Sequence, residues 1–167
     1  MKTYLFFILT ILTGMAFGHG NESHGAKPKN VEVHLPTGLK EPIISEYEKR
    51  VRPIFQAKCF NCHSAQTTYP WYHQLPVVGK IINSHIKEAR SHVDFTDGFP
   101  FKGHGGPTKD LEEIIKVTEN DEMPPWYYSP FHNNSKVTHE EKKTIIEWSK
   151  NTLKKLKVEA KNEITIP

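Results

Sequence analysis

Apolar residues recur every three or four positions in four stretches of the chain, the spacing that places them on one face of an α-helix. These four predicted helical stretches occupy residues 45–59, 77–93, 109–120 and 139–156. Pro53 interrupts the first, so that stretch either kinks or contains a second helix with Pro53 in its first turn. No stretch alternates between apolar and polar residues as a half-buried strand does. The pattern predicts an all-α fold of four to five short helices.

Helix starts and connections refine this prediction. Thr108 is expected to cap the third helical stretch, and Thr138 with Glu141 forms a capping box that opens the fourth. The segments between the helices are long and dense in glycine and proline. Loops of that length are unusual inside a compact domain unless they wrap another group. We therefore expect the loops to enclose a cofactor.

The two ends of the chain differ from its middle. Residues 1–18 combine Lys2, an apolar run and a small-residue cleavage signal, which predicts a signal peptide and export to the periplasm. The run is shorter than the roughly 20 apolar residues of a spanning helix, so membrane contact is expected only if the leader is retained. We divide the remainder into a flexible segment at 19–44, a domain at 45–157 and a tail at 158–167.

Composition limits the classes of partner. The chain has 167 residues, 37% of them hydrophobic, which fits one domain with a modest core that a buried cofactor would enlarge. Its formal net charge of +3 is too balanced to indicate a nucleic-acid partner.

The only two cysteines, Cys59 and Cys62, are followed directly by His63. A thioredoxin-type redox pair belongs to alternating strands and helices, which the pattern lacks. A structural zinc site takes about four ligands, and no further cysteine exists. A disulfide here would close a very small loop and stabilise little. The spacing C-x-x-C-H is instead the signature of covalent haem attachment, with both sulfurs bonded to the porphyrin and His63 as the proximal ligand.

A methionine followed by two prolines lies just beyond the third predicted helix. The thioether of Met123 has no proton to lose and suits an iron that changes oxidation state, while the prolines stiffen its loop. We expect Met123 to be the second axial ligand. Four histidines remain as alternatives: His85, His92, His104 and His132. Three cations are candidate partners of the haem carboxylates: Lys80, Arg90 and Lys102.

The order of these elements resembles monohaem c-type cytochromes and, more narrowly, the bacterial haem-binding domain family. The family features are V-x-P-I at residues 51–54 and Y-P-W-Y at residues 69–72. The resemblance covers about residues 45–155 and implies a small cytochrome c-like bundle wrapped around one covalent haem c, held by His63 and Met123. Aromatic side chains would then form the pocket walls, although each also suits an ordinary core: Tyr69, Trp71, Tyr72, Trp126 and Tyr127.

The expected function is one-electron transfer with redox partner proteins in the periplasm, without enzymatic activity, because both axial positions of the iron would be filled. A haem-based gas or redox sensor is the alternative, in which the sixth ligand is displaceable. A haem-free domain with a Cys59–Cys62 disulfide is the third reading.

Overall fold

The computed structural model describes residues 37–164 of the chain, and six α-helices make up most of them. The helices are α1 (Thr37–Glu46), α2 (Arg52–Lys58), α3 (Phe60–His63), α4 (Pro76–His92), α5 (Pro107–Glu119) and α6 (His139–Ile164). Two strands, β1 (Val93–Asp94) and β2 (Lys102–Gly103), form a short antiparallel ladder between α4 and α5. The predicted signal peptide lies outside the described residues. The all-α prediction is confirmed.

Pro53 explains the break in the first helical stretch. A π-helical turn, Tyr47–Val51, joins α1 to α2, and Pro53 stands in the first turn of α2. Proline has no N–H to donate at this point, and its ring crowds the carbonyl four residues earlier. The wider π turn accommodates the ring at the junction between α1 and α2. The second of the two predicted alternatives is therefore correct.

The core is built on residues spaced by four along this bent helix. Ile43, Tyr47, Val51 and Phe55 are all buried on one side of it. They meet the other members of the core: Phe60, Phe95, Phe99, Phe101, Leu111, Ile114, Ile145 and Trp148. Trp148 of α6 is fully buried, and its ring lies 5.3 Å from that of Tyr47 and 5.4 Å from that of Phe99. We call this cluster the packed region.

Two sequence-based boundaries are wrong. The first helix begins at Thr37, so residues 37–44 are not a flexible segment: Ile43 is fully buried in the core. Prolines and a glycine around this stretch obscure its helical character in the sequence. At the other end α6 continues to Ile164, through most of the predicted tail.

Of the two predicted helix caps, one is wrong and one is confirmed. The N-cap of α5 is Gly106, and Thr108 lies inside the helix, so the predicted threonine cap is wrong. At the start of α6 the backbone N–H of Thr138 donates to the Glu141 carboxylate at 2.7 Å. The N–H of Glu141 donates to the Thr138 hydroxyl at 3.3 Å. That capping box is confirmed. Within the described residues, no helix is both long enough and apolar enough to cross a bilayer.

Candidate functional site

The C-x-x-C-H motif begins at Cys59, where α2 ends, and continues through α3. The N–H of Cys59 donates to the carbonyl of Phe55 at 2.8 Å, which ends α2. The carbonyl of Cys59 then accepts hydrogen bonds from the N–H groups of Cys62, at 3.1 Å, and His63, at 3.0 Å. One helical turn therefore brings both thiols and the imidazole together.

The backbone contacts of His63 determine which of its ring nitrogens is free. Nδ1 lies 3.1 Å from the carbonyl oxygen of Val93. A carbonyl can only accept a hydrogen bond, so Nδ1 carries the proton and Nε2 presents its lone pair. Burial lowers the pKa of His63, and this effect outweighs the opposing hydrogen bonds to the carbonyls of Val93 and Ala89. A neutral imidazole held through Nδ1 is the usual arrangement of a metal-ligating histidine.

The remaining backbone of the motif is tied to the strand that follows α4. The N–H of Phe95 donates to the carbonyl of His63 at 2.7 Å, and the Phe95 ring lies 5.4 Å from the imidazole ring. Val93 and Phe95 thus hold His63 through its side chain and its main chain. Nothing in the sequence singles out Val93, since its contribution is a backbone carbonyl.

The two thiols are kept in their neutral form. Burial raises the pKa of Cys59 to about 12, with smaller contributions from Cys62 and Glu141 and an opposing one from Lys58. Burial also raises the pKa of Cys62. A nucleophilic redox cysteine requires the opposite shift, towards the thiolate. The electrostatics therefore oppose the redox-pair reading.

The other two readings of the cysteines also lack support. Cys59 and Cys62 are free thiols and are not joined by a disulfide. Across residues 37–164, no group of three or more His, Cys, Asp or Glu side chains is arranged to hold a metal ion. A structural zinc site at the motif is therefore not formed.

The loop carrying Met123 begins directly after α5 and lies beside α3. The side-chain amide of Asn61 donates to the Tyr128 hydroxyl at 3.2 Å, which joins this loop to the C-x-x-C-H motif. Further along, the Lys58 ammonium donates to the Asn134 carbonyl at 2.5 Å and to its side-chain oxygen at 3.0 Å. Two residues of the motif region thereby fix the loop on which Met123 lies. Met123 itself is 44% exposed.

Large apolar side chains are exposed on two segments near the motif. Of the ten that are exposed among the described residues, nine belong to residues 69–81 and 123–131: Tyr69, Trp71, Leu75, Val77, Ile81, Met123, Trp126, Tyr127 and Phe131. We call these two segments the exposed apolar face. The Tyr72 ring lies 6.3 Å from the Phe131 ring, and the His85 ring lies 6.3 Å from the Tyr127 ring. Such a patch marks a site for an apolar ligand or partner.

The predicted wall residues occupy different positions on this face. Tyr72 is partly buried, and its hydroxyl donates to His132 Nε2 at 3.4 Å, because His132 Nδ1 is bound to the carbonyl of Tyr128. Tyr69 and Tyr127 are about half exposed. Trp71 and Trp126 are 78% and 85% exposed, and their rings contact Tyr72 and Tyr127 respectively. Their role as pocket walls stays a prediction.

Three of the four alternative histidine ligands make other contacts. His132 uses both ring nitrogens in the bonds to Tyr128 and Tyr72. His92 and His104 face each other, with Nδ1 of the first 3.0 Å from Nε2 of the second. His85 remains, exposed on α4 beside Tyr127. It is the main rival of Met123.

Two of the candidate cations are paired with carboxylates. Arg90 donates to Asp94 at 2.8 Å, and the Lys102 ammonium lies 2.5 Å from the Asp97 carboxylate. Lys80 is exposed on α4. These contacts do not select one of the three cations as the partner of the haem carboxylates.

The site combines two thiols, a neutral histidine with a free Nε2 and a neighbouring apolar surface. These are the features of a haem-binding protein. The chain matches the model of the haem-binding domain family over residues 28–151, well over half of its length. It belongs to that family, which supports haem as its cofactor. Neither a curated protein nor a solved structure matches it.

Proposed function

We propose that this protein is an exported monohaem cytochrome c that transfers single electrons. Cys59 and Cys62 would hold the haem through thioether bonds, with His63 and Met123 as axial ligands. The observation that carries the proposal is the geometry of His63, whose Nδ1 is bound to the Val93 carbonyl so that Nε2 is free to ligate. Bound haem supplies an iron that alternates between the ferrous and ferric states.

The chain's own residues would prepare the site for this chemistry. Burial keeps His63 neutral, as a ligand must be, and keeps the cysteine protons on sulfur until the thiols add to the porphyrin vinyl groups. The side chains of the exposed apolar face would exclude water from the haem. A dry, apolar environment and a Met/His ligand pair both tune the reduction potential. No catalytic residue is needed for electron transfer of this kind.

Support for Met123 as the sixth ligand comes from the anchoring of its loop. Lys58, directly before the C-x-x-C-H motif, is bonded to residue 134 of that loop, and Asn61, within the motif, is bonded to residue 128. The rival histidines His92, His104 and His132 already contact other side chains or the backbone. Localisation in the periplasm and exchange of electrons with partner proteins complete the proposal.

Covalent attachment is tested by mass spectrometry of protein matured in a host that attaches haem c. We expect the polypeptide to carry the mass of one haem, and Cys59→Ala with Cys62→Ala to lose it completely. The single variant Cys59→Ala should retain one thioether bond and shift the pyridine haemochrome band, because one vinyl group then stays unreacted. A parent chain without the added mass would refute covalent attachment.

Axial ligation is tested with Met123→Ala and the matched variant His85→Ala. We expect Met123→Ala to abolish the sulfur-to-iron charge-transfer band in the red and to lower the reduction potential, with haem still attached, because Met/His ligation raises the potential. His85→Ala should leave the band in place. If the parent lacks this band and only His85→Ala changes its low-spin spectrum, His85 is the sixth ligand.

One observation favours a second function, a haem-based sensor of small gases. Met123 is 44% exposed and lies in a loop, so an external ligand could displace it. Carbon monoxide added to the reduced protein distinguishes the two functions. An unchanged low-spin spectrum supports electron transfer, whereas rapid formation of a carbon monoxide complex supports sensing.

A further inference from the structure

A pair of histidines lies at the open end of the small β ladder, away from the C-x-x-C-H motif in sequence. The ladder pairs Val93 with Gly103 and Asp94 with Lys102. The next antiparallel pair outwards is His92 and His104. The N–H of His104 donates to the carbonyl of Ser91 at 3.1 Å, so backbone bonding continues past the pair.

The backbone beneath these two histidines is closely constrained. Gly103 has a φ of +148°, and a Cβ at this position would lie 2.4 Å from the carbonyl oxygen of His92. Only glycine fits there without a shift of the backbone. The two strands therefore approach closely at this point, which sets the spacing between the His92 and His104 side chains.

The two imidazoles converge through one nitrogen each. Nδ1 of His92 and Nε2 of His104 are 3.0 Å apart, and the ring centroids are 4.8 Å apart at an interplanar angle of 69°. Both side chains are exposed to solvent. Water and small ions can therefore reach the point between the two nitrogens.

We propose that His92 and His104 form a bidentate surface site for a divalent transition metal ion of the Cu(II) type. Metal–imidazole bonds measure about 2.0–2.1 Å, and two nitrogens 3.0 Å apart at that bond length subtend about 90° at the ion. A right angle is the cis angle of square-planar and tetragonal centres, which Cu(II) and Ni(II) prefer. Tetrahedral Zn(II) would need a nitrogen separation of about 3.4 Å.

The surroundings of the pair are compatible with an added cation. The nearby cations are neutralised, because Arg90 at the end of α4 is paired with Asp94 and Lys102 in β2 with Asp97. No third His, Cys, Asp or Glu side chain within residues 37–164 completes a larger site, so water would fill the other coordination positions. When both rings are neutral, moving their protons to the outer nitrogens leaves a lone pair on each of the two facing nitrogens.

The site is independent of the proposed haem function, although one residue links the two. His92 directly precedes Val93, whose carbonyl holds His63 Nδ1. The alternative is a structural role, in which the two imidazoles form only a hydrogen bond to each other. The two readings predict different responses to Cu(II).

The test is a calorimetric titration of the purified haem-loaded protein, in its ferric form, with Cu(II). The variants are His92→Gln, His104→Gln, the double variant, and His139→Gln as a control, since His139 is an exposed histidine at the start of α6. We expect each single variant to lose one Cu(II) site or to weaken it at least tenfold. The double variant should lose no more than either single one, because a chelate fails when one arm is removed.

The control should bind Cu(II) as the parent does. The parent's Cu(II) electron paramagnetic resonance spectrum should show coupling to two nitrogens that both single variants lack. Parental affinity in either single variant, or losses that simply add in the double variant, would overturn the proposal. Zn(II) binding as tight as Cu(II) would overturn the tetragonal geometry. Both side chains are exposed, so circular dichroism spectra equal to the parent's are expected for every variant.

Discussion

Trp148 and Trp126 represent two regions of the molecule with opposite environments. Trp148 is fully buried in the packed region, where the rings of Tyr47, Phe99 and Phe101 surround it. Trp126 is 85% exposed on the exposed apolar face, and its ring contacts that of the neighbouring Tyr127. In the first region protein packs on protein. In the second, apolar side chains stay accessible to a ligand, as a haem-binding domain requires.

The difference teaches that the fold does not depend on all of its aromatic residues equally. The packed region gathers α1, α2, α5 and α6, and its apolar side chains are almost completely buried. The C-x-x-C-H motif lies at the border of the packed region. Phe60 belongs to the core, while Cys62 and His63 are only partly buried. We therefore expect substitutions in the packed region to affect stability, and substitutions on the exposed apolar face to affect haem binding.

The largest effect on stability should come from Trp148→Ala. Removing a fully buried indole leaves a cavity and should lower the free energy of unfolding by about 3–5 kcal/mol. Trp126→Ala is the matched variant and should cost less than about 1 kcal/mol, because the side chain is mostly exposed. Urea unfolding followed by circular dichroism measures both. Equal losses would remove the distinction between the two regions.

A smaller effect is expected at Lys58, which joins α2 to the chain that follows the exposed apolar face. Its ammonium is buried, donates to Asn134 and lies 3.7 Å from the carboxylate of Glu141 in the capping box. Lys58→Met keeps the aliphatic stem but leaves these acceptors without their donor, at a cost of about 1–3 kcal/mol in unfolding free energy.

The matched control for Lys58 is Lys116→Met, which breaks an exposed pair with Glu113 and should cost less than about 1 kcal/mol. If Lys58→Met also loosens the loop, the haem spectrum should change at temperatures below global unfolding. A Lys58→Met protein as stable as the control would show that the ammonium does not tie the loop to α2.

The sequence predicted the parts that short-range rules govern. Helical periodicity located α4 and α5 within a few residues, and the capping box marked the start of α6. Periodicity failed for α1, where Pro42 lies inside the helix and the burial of Ile43 depends on distant residues. It also assigned residues 94–107 to a loop without indicating that Phe95, Phe99 and Phe101 fill the core.

For the site, the spacing of Cys59, Cys62 and His63 was readable because one helical turn fixes it. The hydrogen bond between His63 and the Val93 carbonyl could not be predicted from the sequence, because it joins two elements far apart in sequence and uses a backbone atom. The pairing of His92 with His104 likewise depends on the register of two strands, and strands of two residues are too short to be predicted from the sequence. Long-range contacts through the backbone are what the sequence alone could not supply.

The last predicted effect is a pH dependence and concerns Asp110, a carboxyl group inside the packed region. Asp110 is buried, one of its carboxylate oxygens has no hydrogen-bond partner, and burial raises its pKa from 3.8 to about 7. Between these two values the folded protein binds a proton that the unfolded chain has released. Stability conferred by this proton is complete below about pH 3.8 and is lost as the pH rises to about 7, at no more than about 1.4 kcal/mol per pH unit.

Asp110→Asn removes this titration from the packed region. The difference in unfolding free energy between the variant and the parent should therefore shift in favour of the variant from pH 4 to pH 7 and stay constant above that. Urea unfolding at several pH values measures the difference. Asp121→Asn, at an exposed carboxylate, serves as the control for loss of one negative charge. A difference for Asp110→Asn that does not change with pH would mean that this carboxyl is solvated, and the packed region would then be less tightly closed at the start of α5 than around Trp148.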